Sequence, residues 1–144
     1  MKIEEIGIWR FYQSELIPKG KELTCDKAGK WMYFSKDVNF AAKLCSKAID
    51  DGIVVLAKHS IKSRDKRFVC CFYLNGDSVE GHIKTIQFFL DNNLIAKTKD
   101  GRLYNISFKL NIQTMQERLG LIKAYTPILR LDYFIDLDTG EWKG

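Results

Sequence analysis

The run Phe68-Val69-Cys70-Cys71-Phe72-Tyr73-Leu74 most constrains what this chain folds into. It is apolar throughout, bounded by Arg67 and Asn75, and reads as the central strand of a sheet. A shorter run, Ile53 to Ala57, is β-branched at its start and too short for a helix, so it reads as a second buried strand. The polar and basic residues 60–67 form the turn between the two.

Helical periods flank this pair. Val38, Ala41, Ala42, Cys45, Ala48 and Ile49 make one apolar stripe, with Asp37 as N-cap and Gly52 as stop. Val79, Ile83, Ile86 and Leu90 make another, with Asp77 as N-cap, Glu80 three residues on, and Asn92-Asn93 as a left-handed stop. Residues 31–35 are aromatic and read as a strand. Residues 1–13 read as a short edge element, followed by a loop at Ile17-Pro18-Lys19-Gly20. Lys99-Asp100-Gly101-Arg102 is a hairpin signal. Leu103–Leu110 and residues 128–135 alternate apolar with polar, as half-exposed strands do. Residues 112–120 fit a short helix or a loop ending at Gly120, and Asp138-Thr139-Gly140 is a turn that brings back Trp142. The expectation is an α+β fold, 1–144 as a single domain: one curved, mainly antiparallel sheet with two main helices packed on one face. The other face, with Asn105, Ser107, Lys109, Arg130 and Asp132, is then wet or bound to a ligand.

Charge sharpens that expectation. The formal net charge is +5. Residues 1–72 hold 14 Lys/Arg against 9 Asp/Glu, while residues 73–144 hold 9 of each. Most of the excess lies in Lys58-His59-Ser60-Ile61-Lys62-Ser63-Arg64-Asp65-Lys66-Arg67. Clustered cations with hydroxyl donors suit phosphate oxygens. The plain alternative is a solvated turn that shields a sheet edge. Lys58 and His59 also form a conceivable acid–base pair, except that adjacent strand residues point to opposite faces. His82 reads as a core or boundary histidine. Trp9, Trp31 and Trp142 read as packing residues or as stacking platforms.

No Walker loop, G-x-S-x-G, G-x-G-x-x-G or H-E-x-x-H signature occurs. Cys25, Cys45, Cys70 and Cys71 lack metal-ligand spacing and read as thiols of a reducing compartment; with only two histidines, no metal or cofactor is expected. The acidic residues Asp132, Asp136, Asp138 and Glu141 read as turn chemistry. The N-terminus has no apolar leader segment, and no stretch reaches the ~20 apolar residues of a membrane helix. A soluble, cytoplasmic protein without membrane contact is expected.

Gly29-Lys30-Trp31-Met32-Tyr33-Phe34, Leu56-Ala57-Lys58-His59-Ser60, Phe68-Val69-Cys70-Cys71-Phe72-Tyr73 and Ile106–Thr114 resemble the blocks of a poorly characterised family. That family includes the basophilic leukaemia-expressed protein and bacterial phosphothreonine-lyase-domain proteins. The likeness covers roughly residues 29–120, and Asn111 stands where the family pattern has an acid. The resemblance implies a fold like the messenger-RNA cap-binding initiation factor, a curved antiparallel sheet with helices on its convex side. For a lyase it implies a lysine base, a histidine acid and phosphate-binding cations, for which Lys58, His59, Lys109 and Arg130 are the nominees. For cap binding it implies a base held between two tryptophans, with Trp31 and Trp142 as nominees.

Three functions follow as expectations. The first is a binding protein for a phosphorylated, nucleotide or nucleic-acid ligand on the open sheet face, through Lys58, Ser60, Arg64, Arg67, Asn105, Lys109, Arg130 and Trp31. The second is a bacterial or phage interaction factor with a protein partner. The third is a lysine-assisted lyase on a phosphorylated substrate.

Overall fold

A computed structural model describes residues 1–63, 65–120 and 129–144. The apolar run becomes β5 (Phe68–Asn75), fourth across the sheet among the seven strands of the described residues. The others are β1 (Lys2–Ile6), β2 (Trp9–Gln13), β3 (Ala28–Ser35), β4 (Leu56–Ser60), β6 (Ser107–Leu110) and β7 (Leu129–Arg130). They form one open sheet in the order β1-β2-β4-β5-β3-β6-β7, antiparallel at every pairing. The fold is α+β, as the sequence implies.

Helices α1 (Val38–Asp50) and α2 (Val79–Asp91) cover one face. Strand alternation places Tyr12, Ala57, Cys70, Phe72 and Trp31 beneath them. These residues share one apolar cluster with Leu44, Cys45, Ile86, Phe88 and Phe89. Asp37 caps α1, its carboxylate accepting from the Asn39 and Phe40 amides. Gly52 follows at a left-handed φ of 69°. Three cysteines, Cys45, Cys70 and Cys71, are buried, and Cys25 is exposed. No helix among the described residues is long and apolar enough to cross a membrane.

Several elements differ from the sequence reading. Residues 1–13 form a full hairpin rather than a single edge element; Gly7 takes the left-handed φ of 62° that its two-residue loop demands. Ser78, not Asp77, caps α2 by accepting from the Gly81 amide, while Asp77 pairs with Lys27 at 2.9 Å. The buried face of α2 is rotated from the apolar stripe: Val79 and Ile83 are exposed, while His82 and Thr85 are buried. Helix α2 can bury these polar groups because each is hydrogen-bonded, Thr85 donating to the Gly81 carbonyl at 2.8 Å. The predicted strand at 103–110 shortens to β6, and the one at 128–135 to β7 followed by a 3-10 turn at Leu131–Tyr133. Lys97 and Leu103 bridge across the 99–102 turn, as the hairpin signal implies. Residues Asn111–Arg118 form a third helix, α3, directly after β6.

Candidate functional site

Trp31 faces α1 and α2, so its neighbour Lys30 points to the opposite face. The registers extend this rule across the sheet. Lys58 lies opposite Phe11 on β2 and Cys71 on β5; Lys30 lies opposite Tyr73 on β5 and Lys109 on β6; Ser107 lies opposite Arg130. The open face thus carries Trp9, Phe11, Lys58, Cys71, Tyr73, Lys30, Lys109 and Arg130 as a continuous surface.

Helix α3 lies on this face rather than with the other two. The Lys30 ammonium donates to Asn111 Oδ1 at 3.1 Å and to Thr114 Oγ1 at 3.3 Å. Further along the helix, Arg118 acts electrostatically on Lys30, Lys58 and Tyr73. The helix follows β6 directly and packs on β6 and β3. The run 68–74 is apolar on both faces because Cys71 and Tyr73 are buried on the face opposite the core, at 2% and 7% exposure.

Two lysines share that enclosure. Lys30 is only 9% exposed and Lys58 is half-buried. Their ammonium groups flank one ring, each 5.8 Å from the centroid of Tyr73. Lys58 Nζ also sits 3.8 Å over the Trp9 ring and 5.5 Å from that of Phe11. Among the described residues, no carboxylate forms an ion pair with either. Burial holds both ammonium groups below the ordinary lysine range. The positive charges of Lys58, Lys109 and Arg118 lower Lys30 further, and Arg118 lowers Lys58. The same burial pushes the Cys71 thiol and the Tyr73 hydroxyl up, so the floor between the lysines stays neutral. Half-buried cations without a countercharge are costly unless something anionic joins them. The Trp9 face offsets part of that cost, on the order of 1–2 kcal/mol for a desolvated pair.

Of the residues nominated from sequence, Lys58, Lys109 and Arg130 share this face. Trp31 does not: it is fully buried in the core, donating from Nε1 to His82 Nδ1 at 3.1 Å, which rules out stacking on a ligand. Trp142 is on the helical side, donating to Gln87 Oε1 at 3.2 Å, so the two tryptophans form no sandwich. Ser60 is buried at the end of β4, its hydroxyl accepting from the Val69 amide at 3.0 Å. Asn105 precedes β6 and ties a loop, accepting from the Asp132 amide at 2.9 Å. Arg67 is paired with Asp65 at 2.9 Å, and its guanidinium lies 5.1 Å from the Phe34 ring centroid at the rim of the face. Arg64 lies outside the described residues.

The basic run is accordingly split. Lys58, His59 and Ser60 belong to β4, and among the described residues Lys62, Lys66 and Arg67 lie in the connection to β5. His59 points into the core, away from Lys58. There Tyr12 donates to its Nε2 at 2.9 Å, and its Nδ1 donates to the Ser60 carbonyl at 3.0 Å. Lys58 and His59 therefore cannot act on one substrate as base and acid. Asp136 accepts from the Asp138 and Thr139 amides, the turn chemistry read for the acidic C-terminal residues.

Sequence reasoning missed Lys30, Tyr73, Arg118 and the role of Trp9 and Phe11. A lysine directly after a glycine and at the head of an aromatic strand was the available signal for Lys30. In comparisons with known proteins, no family model matches the chain and no curated protein matches it significantly.

Proposed function

We propose that this protein is a binding module for an anionic, phosphorylated ligand held on the open sheet face between Lys30, Lys58 and Arg118. The observation that carries the reading is the pair of enclosed ammonium groups with no carboxylate partner among the described residues. Such a pair is poorly suited to holding a fold together and well suited to holding an anion, because each charge-assisted bond strengthens where water is excluded. Asn111 adds to this. A carboxylate at that position would neutralise Lys30; the amide accepts its hydrogen bond and leaves the charge available. The aromatic edge formed by Trp9 and Phe11 gives a flat apolar neighbour for whatever bears the anion.

The test is calorimetric titration of inorganic pyrophosphate at low salt. The expected result is saturable 1:1 binding that weakens steeply as salt rises, is lost in Lys58→Met and is retained in Lys62→Met, whose lysine lies in the exposed loop. Unchanged binding in Lys58→Met, with the fold verified by circular dichroism, would overturn the assignment.

A further inference from the structure

The enclosure and charge of the open-face site bear on which anion it takes. On the anion-site reading given above, we infer that the ligand is a terminal phosphate monoester closed in by α3, rather than a phosphodiester strand crossing the sheet.

Access is the first argument. A polymer backbone must enter and leave on both sides of each phosphate. Here the Lys30 ammonium is covered on one side, because Asn111 and Thr114 of α3 already bond it. An end group needs only one approach to Lys30, from the side of Lys58, whereas a chain needs two.

Donor count is the second. Lys30 spends two of its three N–H groups on α3 and keeps one. Asn111 accepts from Lys30 through Oδ1 without neutralising it. Lys30 and Lys58 flank the Tyr73 ring, and the charge of Arg118 is felt at the same group. A monoester offers three terminal oxygens and close to two negative charges. A diester offers two terminal oxygens and one charge, and leaves most of these three cations unanswered.

Helix closure is the third. With only Asn111–Arg118, α3 is too short to be stable alone. Its docking brings Arg118 towards Lys30 and Lys58, three like charges on one face. An anion among them reverses that repulsion, so ligand binding and α3 docking reinforce each other.

The experiment compares phenyl phosphate and adenosine 5′-monophosphate with methyl phenyl phosphate and a 5′-hydroxyl oligothymidylate by calorimetry at one salt concentration. Backbone hydrogen exchange of residues 111–119 is followed with and without phenyl phosphate. Both monoesters are expected to bind at least about tenfold tighter than the diester, as charge and donor count dictate. Exchange in α3 is expected to slow, and Asn111→Ala and Arg118→Gln to weaken the monoesters by a larger factor than the diester. Equal affinity for the diester, tighter binding of the oligonucleotide, or unaltered exchange in α3 overturns this inference while the anion site stands. Failure of every phosphate probe, pyrophosphate included, removes the site itself.

Discussion

Replacing His82 by leucine tests the core beneath the site. Trp31 Nε1 is a donor only, so it fixes His82 Nδ1 as an acceptor at 3.1 Å, and Nε2–H then donates to the Gly76 carbonyl at 2.8 Å. Leucine fills a similar volume and orphans both partners. Each buried unsatisfied group costs about 1–3 kcal/mol, so the loss is about 2–6 kcal/mol, towards the lower end because the Gly76 carbonyl is only partly buried. The edge contact with Phe108, with ring centroids 4.7 Å apart, goes as well. Burial also holds His82 below its ordinary value of 6.5, so the unfolded chain binds the proton more tightly. Stability is therefore full above 6.5 and declines as pH falls from there towards the folded value. At about pH 5.5 the wild type has lost up to ~1.4 kcal/mol through this one residue, and the variant has not. The assay is urea unfolding at about pH 7.5 and pH 5.5, followed by tryptophan fluorescence and circular dichroism. The destabilisation should shrink at the lower pH by up to that amount. A loss under ~1 kcal/mol at the higher pH, or an identical loss at both, would refute the reasoning.

Three further outcomes are expected. In Gly29→Ala the new methyl would stand 2.6 Å from the Phe108 ring and 2.7 Å from the Lys109 carbonyl, so thermal melts should show ~1–3 kcal/mol of destabilisation and Trp31 fluorescence should shift as β6 is pushed off β3. Ser78→Ala should cost ~1 kcal/mol in urea unfolding and Asp77→Ala little, since only the serine caps α2. Trp9→Ala should weaken pyrophosphate several-fold in calorimetry while the far-ultraviolet spectrum is unchanged, because it removes the ring that orients Lys58.

The sheet and its two covering helices were legible because their signals are local. An unbroken apolar run, an Asp cap and a helical stripe each specify an element without reference to the rest of the chain. Helix α2 shows the limit. Its apolar count favours Val79 and Ile83, and only tertiary hydrogen bonds to Trp31 and Gly76 make His82 a core residue. The same limit governs the site. Lys58 was legible as a cation at a strand, but its partner Lys30 lies 28 residues earlier and meets it only through β5, a pairing that no local pattern encodes. Ser60 and Asn105 look like ligand donors in sequence because a hydroxyl or amide spent on a backbone partner leaves no trace there.

The pairs Lys30-Trp31 and Lys58-His59 put an open-face cation and a core ring on consecutive residues. Each strand is thus read by two constituencies at once, with alternate letters addressed to opposite sides. Inserting or deleting one residue within β3 or β4 would exchange the addresses, sending an ammonium into the core and a ring into the anion site. Diversification of this surface is consequently confined to substitution in place. Length variation has room only in the connections, such as the one between β4 and β5, where Lys62, Lys66 and Arg67 have no alternate residue committed to the core.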